Sequence, residues 1–169
     1  MHLIFVGFMG SGKSTLGKRI ANRIGKPFVD MDDRLEEMFG CSISEYIKEF
    51  GMESFRQEES ELLRILMLEP SSVIATGGGT PCSKGSMEWM RKHGVVVHLS
   101  VAPSVLAKRL EGDCAHRPML ADVSPNDLER TIGRQLLVRA SSYSGANTKW
   151  YEEEFDDELL AAKLEAIGW

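Results

Sequence analysis

The chain has 169 residues and a formal net charge of −5, with 43% hydrophobic and 27% charged residues. These proportions exclude extended disorder, and a chain of this length can bury a core of its own. The negative charge argues against a polybasic surface for nucleic acid or membranes. Three cysteines at no metal-binding spacing, with no long apolar run, predict a cytoplasmic protein with free thiols. We therefore expect one domain over residues 1–169.

Short runs of β-branched residues alternate with longer helical patterns along the chain, which is typical of a parallel sheet with crossover helices. Strands are predicted at residues 3–6, 28–30, 73–76, 95–99 and 149–152. Helices are predicted at 16–24, in two short pieces within 31–50, and at about 53–69, around Met87 and Met90, and at 103–110, 125–139 and 156–167. Together these patterns predict an α/β fold.

Several residues mark where the helices begin and end. Gly25, Gly40 and Gly51 are predicted helix stops, and Ser42 with Glu45 forms a candidate capping box. Ser124 followed by proline predicts an N-cap with proline at the first helical position. Residues 111–123 lack apolar periodicity, which predicts a loop or mobile lid.

Residues 7–14, Gly-Phe-Met-Gly-Ser-Gly-Lys-Ser, match the phosphate-binding loop G-x-x-x-x-G-K-[ST]. Backbone N–H groups of such a loop surround phosphate oxygens, Lys13 can reach the β- and γ-phosphates, and the Ser14 hydroxyl can bind Mg²⁺. An ordinary glycine-rich turn is the alternative, but the position between a strand and a helix disfavours it. The chain lacks an Asn-Lys-x-Asp motif for guanine, and no later strand ends in the aspartate of a motor ATPase. A small-molecule kinase fits best.

Two segments predicted to follow strands carry candidate acceptor residues. Asp30 and Asp32 lie at the end of the second strand, where one carboxylate can support Mg²⁺ and another can orient a hydroxyl. The alternative is a polar turn that caps the next helix. Gly77-Gly78-Gly79 follows the third strand and indicates a close approach to the backbone, with a flexible turn as the less favoured alternative.

Three arginines have both a structural and a functional interpretation. Arg56 either forms a surface salt bridge with Glu53 or Glu59 or binds an anion. Arg139 either balances a helix dipole or binds the same anion. Arg117, in the unpatterned segment, is either an exposed loop residue or a lid arginine that stabilises the transferred phosphoryl group. With Asp32, the pair Arg56 and Arg139 implies a hydroxylated carboxylic acid as the acceptor.

The ordered motifs GFMGSGKS, FVDMD, GMESFR, TGGG, RPML and RASSY, between residues 3 and 143, resemble those of shikimate kinases. The resemblance implies a three-layer P-loop kinase fold with a five-stranded parallel sheet, inserted substrate-binding helices near residues 31–60 and a mobile lid near 111–123. It also implies a monomer that uses ATP to phosphorylate the 3-hydroxyl of shikimate, in chorismate and aromatic amino-acid biosynthesis.

The same resemblance assigns roles to individual residues. It implies that Ser14 and Asp30 hold Mg²⁺ and that Lys13, Asp32 and Arg117 are catalytic. The implied shikimate-binding residues are Asp32, Arg56, Gly78, Gly79 and Arg139. The implied ATP-binding residues are Gly10, Ser11, Gly12, Lys13, Ser14, Thr15, Arg109 and Arg117. Ser141 stands where the family usually has proline, which predicts a looser turn after Arg139.

Two other functions remain open at this point. One is a different small-molecule kinase on the same scaffold, such as a gluconate or nucleoside-monophosphate kinase. The other is a catalytically silent nucleotide-binding protein with a regulatory role. The full set of Lys13, Ser14, Asp32 and Arg117 argues against the silent protein, and the arginine pair favours the shikimate acceptor.

Overall fold

The computed structural model describes residues 1–112, 120, 123–151 and 157–169. Its strands are β1 (His2–Val6), β2 (Phe28–Asp30), β3 (Val73–Ala75), β4 (Gly94–Ser100) and β5 (Thr148–Tyr151). Its helices are α1 (Lys13–Ile24), α2 (Met31–Phe39), α3 (Ile43–Leu66), α4 (Ser86–His93), α5 (Pro103–Leu110), α6 (Leu128–Tyr143) and α7 (Asp157–Ala166). Short 3₁₀ turns occupy Thr80–Cys82 and Pro125–Asp127.

The five strands form one sheet in the order β2-β3-β1-β4-β5, and every neighbouring pair is parallel. The first strand lies at the centre, with Leu3 opposite Val73 on one side and Val95 on the other. A parallel sheet needs crossover connections, and the helices between the strands supply them. The predicted α/β fold with a five-stranded parallel sheet is therefore confirmed.

Both faces of the sheet are covered by helices, so the fold has three layers. Side chains alternate between the two faces along β1. Leu3 and Phe5 lie in one core cluster, and Ile4 and Val6 lie in the other. The cluster around Leu3 is completed by α1 and α7, and the cluster around Ile4 by α2, α3, α4 and α6. The strands at the centre of the sheet, β3 and β1 beyond His2, are buried and apolar on both faces, as is typical of parallel strands covered by helices.

Most predicted helix boundaries are confirmed by the backbone. Gly25 and Gly40 end their helices in the left-handed conformation, and Ser42 with Glu45 forms the full capping box. At Gly51, φ is 87° and the chain leaves helical geometry, so α3 consists of two segments joined at a kink. The second segment ends at Leu66 instead of residue 69, because two turn hydrogen bonds close the chain before Pro70.

One local prediction is confirmed in position but differs in detail. Ser124 is the N-cap residue and Pro125 the first helical position, but the first turn, Pro125–Asp127, is 3₁₀, and the Ser124 hydroxyl donates to the Asp127 carboxylate at 2.8 Å instead of capping a backbone N–H group. A second local prediction is wrong. Ser141 lies inside α6, which continues to Tyr143, so no looser turn follows Arg139. Serine supplies the backbone N–H that proline would lack, and the helix can therefore continue.

The predicted lid lies mostly outside the described residues. Of residues 111–123, the structure describes 111, 112, 120 and 123, and Leu120 is fully buried in a cluster with Leu106 and Leu110. Arg117 lies outside the described residues, as do residues 152–156 of the acidic stretch. No helix in the described part of the chain is long and apolar enough to cross a membrane.

A histidine is packed into the sheet beside this core. His98 lies on β4 and its ring stacks on that of Tyr143, with centroids 4.8 Å apart. Burial, followed by the charges of Lys149 and Lys13, lowers the pKa of His98 to about 4. The folded protein therefore holds His98 neutral in mildly acid solution.

We predict that His98 makes the protein less stable as the pH falls from about 6.5 to about 4. The unfolded chain takes up a proton at His98 below about pH 6.5, whereas the folded protein does so only near pH 4. Allowing for solvent screening of this partly exposed ring, the free energy of unfolding should lose about 1 kcal/mol between pH 7 and pH 5. Urea unfolding of His98→Gln at both pH values should show a smaller loss. His93→Gln, outside the sheet, is the control and should keep the full loss.

Candidate active site

The predicted site residues meet at one edge of the sheet because the carboxyl ends of parallel strands point the same way. β1 leads into the phosphate loop, β2 ends at Asp30, and β3 leads into Gly77–Gly79. The central strand β1 has β3 on one side and β4 on the other. The chain forms β2 and β3 on one side of β1 and then β4 and β5 on the other side, so the direction of the crossovers reverses at β1. Ligands of open α/β sheets bind in the crevice at such a point.

The loop between β1 and α1 has the backbone of an anion site. Gly10 and Gly12 have φ values of 76° and 91°, which L side chains rarely adopt. No side chain caps the start of α1, and its first turn carries no acidic residue. The uncapped N–H groups and the positive end of the helix dipole therefore face the loop, as phosphate binding requires.

Two cations lie against this loop. The Lys13 ammonium group donates to the carbonyl oxygens of Gly7 and Phe8, both at 3.0 Å, and the residue is 8% exposed. Arg109, near the end of α5, donates to the carbonyl oxygen of Gly10 at 3.2 Å. Both side chains are thus held at the loop by its own backbone.

Ser14 and Asp30 form a pair across the crevice. The Ser14 hydroxyl donates to Asp30 Oδ2 at 2.5 Å, and Asp30 Oδ1 accepts the Asp32 N–H group at 3.0 Å. Asp30 is therefore also the N-cap of α2, so the capping interpretation of this segment holds together with the functional one. A hydroxyl and a carboxylate are hard oxygen ligands of the kind that Mg²⁺ takes, usually one or two at a time with water and phosphates.

A cavity of about 540 Å³ opens in front of the loop. Its lining includes the described residues predicted for ATP and metal, two residues of the predicted acceptor set, and two further polar residues from α2 and the end of β3. These lining residues are Gly10, Ser11, Gly12, Lys13, Ser14, Thr15, Asp30, Asp32, Asp33, Thr76, Gly78 and Arg109. Burial, followed by the nearby charge of Asp30, raises the pKa of Asp33.

A second cavity, of about 450 Å³, is lined by Arg56, Gly79 and Arg139. Arg56 comes from the second segment of α3 and Arg139 from α6, so two separate helices supply the cations. Gly78 lines the first cavity and its neighbour Gly79 lines the second, so the cavities meet at the glycine run.

Arg139 is fixed in place by contacts on three sides. It is 9% exposed, and its guanidinium donates to Gly78 O and to Gln135 Oε1, both at 3.3 Å. The same group lies 5.0 Å from the Phe8 ring centroid. Arg139 therefore binds the glycine run instead of the end of α6, and a role confined to the helix dipole is wrong.

Tyr143 shares the acceptor that Arg139 uses. Its hydroxyl donates to Gly78 O at 2.7 Å, and burial raises the pKa of Tyr143 to about 12. The hydroxyl therefore stays protonated near neutral pH and keeps donating. Two residues of α6 thus hold the carbonyl of Gly78 between them.

Arg56 pairs with a buried acid. Its guanidinium donates to Glu59 Oε2 at 2.5 Å, and Glu59 is 1% exposed. The opposite oxygen, Glu59 Oε1, accepts the Thr80 hydroxyl at 2.6 Å. The sequence identified Glu59 as one of two possible partners, but a surface salt bridge is wrong because the carboxylate is inside the protein.

Gly79 is required by this pair. A Cβ on Gly79 would overlap the guanidinium of Arg56, so the guanidinium would have to move from its present place over the glycine to admit it. The close approach predicted for the glycine run is therefore present, and a merely flexible turn is excluded.

Sequence reasoning missed Glu59 and Thr80 as site residues. A usable signal was present, because Glu59 lies four residues after Phe55 and three before Leu62, both of which are buried on α3. That spacing places the acid on the inner face of the helix. Among the many acids of this helix, it is the one aligned with the apolar stripe.

Comparisons with known proteins agree with this arrangement. The family model for shikimate kinase matches residues 9–166. A shikimate kinase of Phocaeicola vulgatus is 36% identical over 156 residues, covering 92% of this chain and 89% of the relative. The crystal structure of shikimate kinase from Bacteroides thetaiotaomicron has a TM-score of 0.90 and 33% identity, covering 100% of this chain and 99% of its own.

A second solved structure, shikimate kinase from Acinetobacter baumannii in complex with shikimate, has a TM-score of 0.87. It is 27% identical and covers 98% of this chain and 92% of its own. The agreement of sequence and fold extends over almost the whole chain, including both cavities. This chain belongs to the shikimate kinase family.

Proposed function

We propose that this chain transfers the γ-phosphoryl group of ATP to the 3-hydroxyl of shikimate, in chorismate and aromatic amino-acid biosynthesis. The observation that carries the proposal is the pair of adjoining cavities, one at the phosphate loop and one between Arg56 and Arg139. The first suits a nucleoside triphosphate, and the second suits a carboxylate. Their meeting at Gly78 and Gly79 would bring the acceptor to the end of the phosphate chain.

Residues of the phosphate loop would bind the phosphates of ATP. Backbone N–H groups at the start of α1 and the Lys13 ammonium would neutralise the β- and γ-phosphates. In the transfer, the bond from the γ-phosphorus to the bridging oxygen breaks, and a bond forms to the acceptor oxygen. Gly10, Ser11, Gly12 and Thr15 line the same cavity, and Arg109 lies at its mouth. We assign Arg117 to the lid, over the transferred group.

The acceptor side falls to Asp32 and the two arginines. Asp32 lines the first cavity, where its carboxylate would accept the proton of the attacking hydroxyl and orient the oxygen in line. Arg56 and Arg139 would bind the acceptor carboxylate, each with donors in fixed planes. The backbone of Gly78 and Gly79 would form the wall between the two ends of the acceptor.

The residues present fit a Mg²⁺ site at Ser14 and Asp30. The structure shows their oxygens together at the mouth of the phosphate loop, 2.5 Å apart. The described residues contain no group of three or more His, Cys, Asp or Glu side chains that could hold a metal alone. Mg²⁺ usually has only one or two protein ligands, and phosphate oxygens and water complete its coordination. When bound, the ion offsets negative charge on the phosphates.

We also propose how the chain is organised around the site. We assign residues 31–60 to substrate binding because Arg56 lies near the end of this segment. The two helices of the segment are packed together by the stacked rings of Phe39 and Tyr46, whose centroids are 3.8 Å apart. One domain over residues 1–169, a monomeric state and a cytoplasmic location complete the proposal. The use of ATP and the free thiols of Cys41 and Cys82 support that location.

The alternative functions differ in how they would use the arginine pair. Nucleoside monophosphates carry no carboxylate, so they would leave the arginine pair with only a phosphate to bind. Gluconate does carry one, so the arginine pair alone does not exclude it. A silent nucleotide-binding protein would have no use for the buried network that holds Arg56.

We predict that purified protein with ATP and Mg²⁺ releases ADP when shikimate is the acceptor. A coupled ADP-release assay should compare shikimate, gluconate and nucleoside monophosphates at equal concentration. Shikimate should exceed the others by at least tenfold in kcat/KM, because it alone is expected to satisfy both arginines and Asp32 together. Turnover of another acceptor alone would overturn the proposal, and nucleotide binding without any turnover would favour the silent protein.

We predict that Arg139→Lys weakens acceptor use while leaving nucleotide use nearly unchanged. Lysine keeps the charge but loses the planar pair of donors, so KM for shikimate should rise about tenfold. KM for ATP should change less than twofold. Arg134→Lys is the matched control, since Arg134 is exposed on the same helix and lies outside both cavities. Equal increases in both KM values for Arg139→Lys would contradict its role.

We predict a different pattern for Asp32→Asn. The amide keeps the shape of the side chain but accepts a proton poorly, so kcat should fall by about 100-fold or more. Nucleotide affinity, measured by titration with ADP, should stay within about threefold. A variant that loses ADP affinity in proportion to kcat would show that Asp32 serves the nucleotide instead of the acceptor.

A further inference from the structure

The Arg56–Glu59 ion pair is held by a third residue that belongs to neither the acceptor nor the nucleotide cavity. Glu59 is 1% exposed, so its carboxylate has almost no water to bind. Its oxygens have different protein donors, with Arg56 on Oε2 and the Thr80 hydroxyl on Oε1. A buried carboxylate needs such hydrogen bonds to remain stable in one orientation.

Thr80 is well placed to define that orientation. It is 1% exposed and opens the 3₁₀ turn Thr80–Cys82, which follows β3 and the glycine run. Its N–H group donates to Gly77 O at 3.2 Å, and its carbonyl accepts the Ser83 N–H group at 3.2 Å. These two turn hydrogen bonds fix the backbone on both sides of the hydroxyl within the loop that follows β3.

Arg56 and Glu59 lie three residues apart on α3, so their pairing alone does not fix them relative to the sheet. The hydrogen bond from Thr80 joins this helix to a different element. Thr80 donates to Glu59 Oε1, whereas Arg56 donates to the other carboxylate oxygen, Oε2. Thr80 thus sets where Glu59 lies, and Glu59 sets where the guanidinium of Arg56 lies above Gly79.

A nearby like charge increases the need for this hydrogen bond. An idealised Cβ on Gly77 would lie 2.5 Å from Glu59 Oε1, 2.8 Å from Asp32 Oδ1 and 3.1 Å from Thr80 Oγ1. The carboxylates of Glu59 and Asp32 therefore flank the same glycine. Their repulsion favours movement of Glu59 away from the site, and the Thr80 hydroxyl opposes that movement.

We propose that Thr80 is a positioning residue for the acceptor, acting through Glu59 to hold Arg56 in the orientation that binds the acceptor carboxylate. The proposal rests on the function proposed above. Thr80 touches neither substrate, and its effect reaches the reaction through one hydrogen bond and one ion pair. Its loss should therefore affect acceptor affinity and leave the phosphate loop unchanged.

The test compares Thr80→Val, which removes the hydroxyl, with Thr80→Ser, which keeps it. In Thr80→Val, KM for shikimate should rise about tenfold, the usual effect of losing a hydrogen bond to a buried charged group. KM for ATP should change less than twofold. Thr80→Ser should restore KM for shikimate to within about twofold of the original protein. Circular dichroism checks folding, and Thr80→Ala replaces Thr80→Val if the valine variant does not fold.

Two further variants separate positioning from general destabilisation. Ser60→Ala is the matched control, because it removes a hydroxyl bonded to the backbone carbonyl of Arg56 at 2.8 Å but leaves Glu59 untouched. It should leave both KM values unchanged. In an Arg56→Lys background, Thr80→Val should add less than twofold to KM for shikimate, since its effect passes through the guanidinium.

The outcomes are distinguishable. If the original protein does not phosphorylate shikimate, the proposed function fails, and the variants are then compared by shikimate binding in calorimetry. The Thr80 proposal is overturned if Thr80→Val raises both KM values equally, if Thr80→Ser gives no rescue, or if the effects of Thr80→Val and Arg56→Lys simply multiply. A loss of shikimate affinity that requires Arg56 supports it.

Discussion

The acceptor site depends on the close packing of side chains against the bare backbone of Gly77–Gly79. Arg56 lies over Gly79, Arg139 and Tyr143 donate to the carbonyl of Gly78, and Glu59 approaches Gly77. A Cβ on Gly77 or Gly79 would overlap Glu59 or Arg56, and a Cβ on Gly78 would crowd the backbone N–H group of Met9 in the phosphate loop. Because the run directly follows β3, the central sheet sets the position of the site, and the two helices that supply the arginines converge on it.

The charges of the site are balanced locally. Residues 150–169 carry seven acids and one base, so residues 1–149 hold 19 bases and 18 acids and are nearly neutral. Within that part, the negative charge of Glu59 offsets the positive charge of Arg56. At the phosphate loop, the site contains both a carboxylate, Asp30, which accepts from Ser14, and a cation, Lys13. An acidic chain can therefore present two anion sites, because net charge describes long-range attraction and not the few residues that line a cavity.

The sequence predicts the fold well wherever local chemistry determines structure. Gly25 and Ser42 mark helix boundaries through backbone geometry and capping, and the strand pattern predicts the sheet. The 3₁₀ first turn at Pro125 and the early end of α3 were not predicted, because the apolar pattern does not show the turn hydrogen bonds that form there. Glu59 escaped detection for a different reason. Its charge suggests an exposed residue, and its burial is made favourable by two partners, Arg56 three positions earlier and Thr80 21 positions later.

The same network explains why acceptor selection can be strong. Arg139 is almost fully buried, and Arg56 is held between Gly79 and Glu59, so both guanidinium groups have lost much of their water. If the two arginines bind the acceptor as proposed, an acceptor without a carboxylate would leave their remaining donors without a partner. Leaving a buried charged donor unpaired costs more free energy than the pairing itself contributes. In the proposed function, discrimination therefore comes chiefly from the penalty imposed on acceptors that lack a carboxylate, and it requires that neither arginine can turn back to the solvent.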